Sequence, residues 1–103
     1  MTYKVIITSR AQQEAQANRN WWATNRSAEQ AARWYEEFAK SILSLEGQPD
    51  RCALAPENDQ FPYEVRQLNF GIGRKATHRL VYVIRPNEAM ILRVLHLAQQ
   101  EIT

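Results

Sequence analysis

The chain has 103 residues and a mass of 12.0 kDa, the size of a single domain, since one core ordinarily takes about 100–150 residues. Hydrophobic residues make up 45% and charged residues 23%, a globular balance that excludes a disordered chain. Thirteen Lys/Arg against eleven Asp/Glu leave +2, too little for a polybasic nucleic-acid arm, and the longest apolar run, Leu80–Ile84, is too short for a membrane span.

In chain order, Tyr3–Thr8 reads as a short strand through Val5, Ile6 and Ile7. The opening MTYKVIITSR has no apolar stretch of the length a secretory signal needs, so a cytoplasmic protein is expected. Ser9 with Gln12 forms a capping box, and helix is expected through Gln12–Ala23, broken by Asn25-Arg26. Ser27 with Gln30 repeats that logic. Ala28, Ala31, Tyr35, Phe38, Ile42 and Leu45 then recur at spacings of three and four, one apolar stripe along a second helix. Gly47 stands where a left-handed cap would end that helix, with Pro49 beyond it. So short a connection predicts an antiparallel helical hairpin.

Gly47–Pro62 holds three of the four prolines and reads as irregular loop. It carries Cys52, which as the only cysteine cannot build a disulfide or a cysteine metal site. Strands are expected at Tyr63–Phe70, His78–Arg85 and Met90–His96, separated by a turn at Gly71-Ile72-Gly73 and another at Pro86–Ala89. Leu97–Thr103 is polar and reads as a helical turn or a frayed end. Helices segregated from antiparallel strands indicate an α+β domain over 1–103, an N-terminal strand and a helical hairpin packed on a small antiparallel sheet. The face of the sheet away from the helices is expected to stay partly open and to carry the function.

Charge is unevenly placed. Residues 1–60 carry seven Lys/Arg and eight Asp/Glu, whereas 61–103 carry six and three. Between Tyr63 and Arg79, the cations Arg66, Arg74, Lys75 and Arg79 meet only Glu64. Such a patch reads either as a site for a polyanion or acidic protein surface, or as a solvated sheet edge. An even-numbered final hairpin loop centred on Asn87-Glu88 would oppose Arg79 to His96, Val81 to Val94 and Val83 to Leu92; an odd loop would put Arg79 on the face of Arg93.

Neither a metal cluster nor a cofactor motif is present in the sequence, so no cofactor is expected. Arginine forks with one imidazole suit metal-independent RNA cleavage: a base takes the ribose 2′-hydroxyl proton, guanidinium groups stabilise the phosphorane, and an acid protonates the leaving oxygen. Arg66, Arg79, Arg93 and His96 are the candidates, although structural hydrogen bonding is the default reading of His96 and a second proton-transfer group is not evident. Adjacent Trp21 and Trp22 point about 100° apart on a helix and cannot share one buried face. One of the two is expected near the surface, with Trp34 a further candidate, as core edge or as an anchor for a partner.

The runs Pro49-Asp50-Arg51-Cys52-Ala53-Leu54-Ala55-Pro56-Glu57, Glu64–Gly71, His78-Arg79-Leu80-Val81-Tyr82 and Ile91–His96 together resemble the RelE/ParE toxin superfamily of bacterial type II toxin–antitoxin systems. So do Ser9–Glu14 and the helix from Trp34 to Leu45. The resemblance implies a growth-arresting toxin neutralised by a cognate antitoxin, with an oligomer assembled through that antitoxin. Its target would be either DNA gyrase, as for ParE-like members, or ribosome-bound messenger RNA, as for RelE-like nucleases. Arg79 falls at the family arginine opening the central strand, and Arg66 and Arg93 at recurrent basic positions. RelE-like enzymes carry lysines where this chain has Glu64 and Arg66, often place a tyrosine near the C-terminus, and commonly have a basic residue where Leu95 stands. On those departures the ParE-like branch is favoured, with the nuclease and an inactive antitoxin-binding scaffold as alternatives. Target or antitoxin contacts are expected at Arg66, Arg74, Lys75, Arg79, Trp21 and Trp22.

Overall fold

The computed structural model describes residues 2–97; the expectation for the closing segment beyond Leu97 lies outside them. Strands β1 (Lys4–Ile7), β2 (Arg66–Phe70), β3 (His78–Arg85) and β4 (Glu88–His96) form one sheet in the order β1-β4-β3-β2. Helices α1 (Ser9–Asn25) and α2 (Ala28–Ser44), joined by only two residues, pack on one of its faces. The α+β class therefore stands, but the sheet is mixed. β2, β3 and β4 are antiparallel, whereas β1 lies parallel to β4 with Lys4 beside Glu88 and Ile7 beside Ile91. No hairpin ties β1 to β4, so its direction is set by tethers at its start: Tyr3 N–H donates to Glu46 O (2.8 Å) and Lys4 N–H to Asn87 O (2.9 Å). Among the described residues no helix is long and apolar enough to cross a membrane.

The helix ends follow capping chemistry with two departures. Thr8, not Ser9, caps α1: its hydroxyl accepts from Ala11 N–H at 3.3 Å and donates to Ile91 O at 2.8 Å, so the residue after β1 serves strand and helix together. Ser27 caps α2 as expected, accepting from Gln30 N–H at 3.0 Å. At the other end Leu45 is right-handed (φ −76°) and no glycine has positive φ, so the expected left-handed cap at Gly47 is not used. Instead the last turn tightens through bonds of Leu45 N–H to Ile42 O and Glu46 N–H to Leu43 O, both 3.1 Å.

Ala31, Phe38 and Leu45 of the stripe are buried, but Tyr35 is 38% exposed beneath the Arg19 guanidinium, and Trp34 takes the centre of the core. Trp34 is fully buried, not near the surface; it stacks on Phe38 (5.8 Å between ring centroids) and meets Phe70 at 5.5 Å. Together with Ala11, Ala15, Leu80, Tyr82 and Ile91 it fills the layer between helices and sheet.

The opposite face is not open. Val81, Val83 and Leu95 pack there against Ala55 and Val65, with half-buried Phe61 beside them, so the later part of the 49–65 segment covers this face. A strand apolar on both faces needs a cover on both. The cover is fastened by main-chain bonds of Ala55 N–H to Val65 O (2.7 Å) and Gln67 N–H to Ala53 O (3.1 Å), while on the helix side the Tyr82 hydroxyl anchors the start of the segment by donating to Pro49 O (2.5 Å). Burial and its contacts with the loop push the Tyr82 phenol well above its ordinary range.

The register of the final hairpin also differs from both expectations. Arg85 pairs with Glu88 across a two-residue turn, Pro86-Asn87, with Asn87 at φ 64°. An irregularity between Val81 and Tyr82 then shifts the pairing, so His78 faces His96, Arg79 faces Leu95 and Val81 faces Arg93.

Candidate functional site

The guanidinium groups expected to gather on one surface are held apart. Arg79 and Glu57 are each about 4% exposed and form a bidentate pair beneath the covering segment: Nη1 donates to Oε1 at 2.8 Å, Nη2 binds Oε2, and Nη1 also reaches Gln67 Oε1 at 3.0 Å. That guanidinium holds the Glu57 carboxyl below the usual carboxylate range. Arg93, at the shifted register, turns to Glu14 on α1, Nε donating to Oε2 at 2.8 Å and Nη2 lying 2.7 Å from the same oxygen. Glu14 Oε1 also accepts from Val94 N–H at 2.9 Å. Arg66 donates to Cys52 O (2.6 Å) and approaches the exposed Glu64 (3.3 Å). Arg74 and Lys75 stand exposed in the β2–β3 connection. Arg79 thus serves the loop-covered face and Arg93 the helical face. The reason is physical: a charge enclosed by apolar neighbours needs its own counter-charge, and each arginine has one.

What the register does bring together is a pair of histidines. Buried His78 and exposed His96 lie edge to face with ring centroids 5.2 Å apart. Trp34 Nε1–H donates to His78 Nδ1 at 3.2 Å, and because an indole is a donor only, Nδ1 must be the unprotonated nitrogen. Thr77 Oγ1 lies 2.8 Å from that nitrogen. His78 Nε2–H therefore donates to Asn18 Oδ1 (2.9 Å), and Asn18 is oriented by its own amide donating to Glu14 O (2.9 Å). Burial, with the neighbouring His96, lowers the His78 pKa to about 4. His78 is thus a neutral strut between α1, α2 and β3, and of the two imidazoles only His96 faces solvent.

Above this strut a cleft of about 390 Å³ opens between the second half of α1 and the ends of β3 and β4. Trp21, Trp22 and Arg26 of α1 and its end form one wall; Thr77, His78 and His96 form the other. The two indoles meet edge on, 5.4 Å between centroids, as their adjacency on a helix requires. Trp21 is 50% exposed, while Trp22 is half-buried against the core with Nε1 enclosed and unpartnered.

Residues 5–101 match the family model described as the ParE toxin of the type II toxin–antitoxin system parDE. The chain belongs to this family. It is a ParE-like type II toxin, and the sequence resemblance to the RelE/ParE superfamily stands. A solved structure described as the chromosomal ParDE toxin–antitoxin system from P. aeruginosa superposes with a TM-score of 0.74 at 17% identity, covering 92% of this chain and 96% of that one. At that identity the likeness establishes a shared fold. No curated protein matches in sequence.

Sequence reasoning missed Glu57, Glu14, Asn18 and His78. Glu57 lies in the proline-rich loop that reads as irregular, and the signal for it is the need of an arginine on a strand apolar on both faces for a carboxylate. His78 and His96 stand 18 residues apart in the chain, and only the hairpin register makes them neighbours.

Proposed function

We propose that the protein arrests growth by binding another protein rather than by cutting RNA, with DNA gyrase as the target, and that a cognate antitoxin holds it inactive in the cytoplasm. The observation that carries this reading is the internal use of Arg79 and Arg93 in ion pairs with Glu57 and Glu14. A phosphorane needs guanidinium groups aimed at its oxygens, and groups already neutralised by carboxylates of the same chain are poorly suited to that task. The locked imidazole supports the same reading: His78 has both ring nitrogens engaged, with Trp34 and Asn18, and so is not free to move a proton as acid or base.

Purified protein added to a gyrase supercoiling reaction is expected to block it, and unchanged supercoiling overturns the target. The ribosome-dependent endoribonuclease is the second reading, favoured by the exposure of His96 at the mouth of the cleft. Mapping of transcript ends after induction decides it, with His96→Ala abolishing the cuts. Expression without antitoxin that leaves growth untouched assigns the chain instead to an inactive scaffold.

A further inference from the structure

The cleft between α1 and the histidine pair has a chemistry of its own. Its walls are dominated by Trp21, Trp22 and the imidazole rings, and its volume of about 390 Å³ falls within the 300–1,000 Å³ or so of small-ligand pockets, ample for one bulky side chain with adjoining backbone. A half-exposed tryptophan at the rim of such a cleft is the residue type that most often anchors protein interfaces. The polar atoms of the inner wall are already engaged: His78 with Asn18 and Trp34, and Asn18 with Glu14 O. Among the described residues Arg26 carries the only permanent charge in the lining, and its guanidinium makes neither hydrogen bond nor ion pair with any of them. Among the described residues no carboxylate lines the cleft. An apolar slot with one unneutralised cation at its edge complements an apolar group followed by an acid.

We propose that this cleft seats a short acidic peptide segment of a protein partner, with a Trp, Phe or Leu side chain between Trp21 and His96 and a nearby carboxylate on Arg26. A single guanidinium favours this occupant over a nucleic-acid strand, whose affinity comes from a series of phosphate contacts. The inference rests on the reading that the protein acts through protein partners, and it adds where and by what chemistry a partner is held.

The test is a selection of displayed random peptides on the full chain, followed by fluorescence anisotropy of enriched peptides on the wild type, Trp21→Ala and Arg26→Glu. Both positions are exposed, and a thermal melt verifies that the variants are folded. The expected result is enrichment of sequences with a bulky apolar residue within two positions of Asp or Glu, and a loss of about tenfold or more in affinity with either variant. Absence of enrichment, enrichment without acidic residues, or binding indifferent to both variants overturns the proposal. So does tighter, Trp21-dependent binding of a labelled ten-nucleotide RNA, or a self-association that Trp21→Ala abolishes. Supercoiling assayed on the same three proteins separates the two readings. Peptide binding without gyrase inhibition keeps the cleft and removes the target, whereas inhibition untouched by both variants keeps the target and removes the cleft.

Discussion

Arg79 shows why a residue's type is a poor guide to its task. Its guanidinium is enclosed with Glu57, and removing one member of an enclosed pair strands the other. Arg79→Ala and Glu57→Ala are each expected to lower unfolding free energy by about 3–5 kcal/mol in urea titration, while joint replacement by Met and Leu recovers most of that loss. Loss of toxicity in Arg79→Ala would therefore report folding before it reported chemistry. His78 gives the second residue-scale expectation. The folded chain keeps it neutral down to about pH 4, whereas the unfolded chain takes up a proton near the ordinary 6.5. The unfolded state thus binds more protons between those values, so stability is full above about pH 6.5 and falls as pH drops towards 4, by about 3 kcal/mol. Denaturant midpoints measured across that window, with His78→Gln as the flattened control, check it.

At the scale of elements, helix boundaries depend on which hydroxyl is already extended. Ser27 is legible as a cap because nothing competes with it; Ser9 is not used because Thr8, one residue earlier, also bonds to Ile91 O. Thr8→Ala is expected to cost more than Ser27→Ala in thermal melts. The first loses a helix cap and a strand bond, the second about 1 kcal/mol of capping alone. Gly71 is required by close approach rather than by a left-handed backbone: a Cβ there would lie 3.0 Å from both Lys75 O and Thr77 N. Gly71→Ala is therefore expected to disturb the connection that leads into His78, seen as shifted amide signals at Thr77 and His78. The strand at His78–Arg85 was read to the residue because its unbroken apolar run is bounded by polar ends. The final hairpin was misregistered because Pro86-Asn87 and the later shift at Val81 are set by turn geometry and by Arg93 reaching Glu14.

Across the molecule, the order of elements and the family were legible, whereas the layer arrangement was only half so. Periodicity reveals a helix that covers a sheet, but the 49–65 segment has none, and its role as a second cover follows only from Val81, Val83 and Leu95 needing one. The two cores share β3, so they are expected to unfold together. Leu80→Ala on one face and Leu95→Ala on the other should each cost about 2–5 kcal/mol and leave a single transition in urea by fluorescence and circular dichroism.

The parallel seat of β1 has a kinetic meaning. Lys4–Ile7 is the earliest strand of the fold to be translated, and its neighbour Glu88–Ile91 belongs to the latest. A pairing that spans 84 positions cannot close while the chain is still on the ribosome's early register, and such distant closure is slow. Nascent chains halted before Glu88 are expected to leave this strand open to protease. A cell making this toxin thus receives it unassembled at its sheet edge until synthesis is nearly done, an interval in which an inhibitor already present has the first encounter.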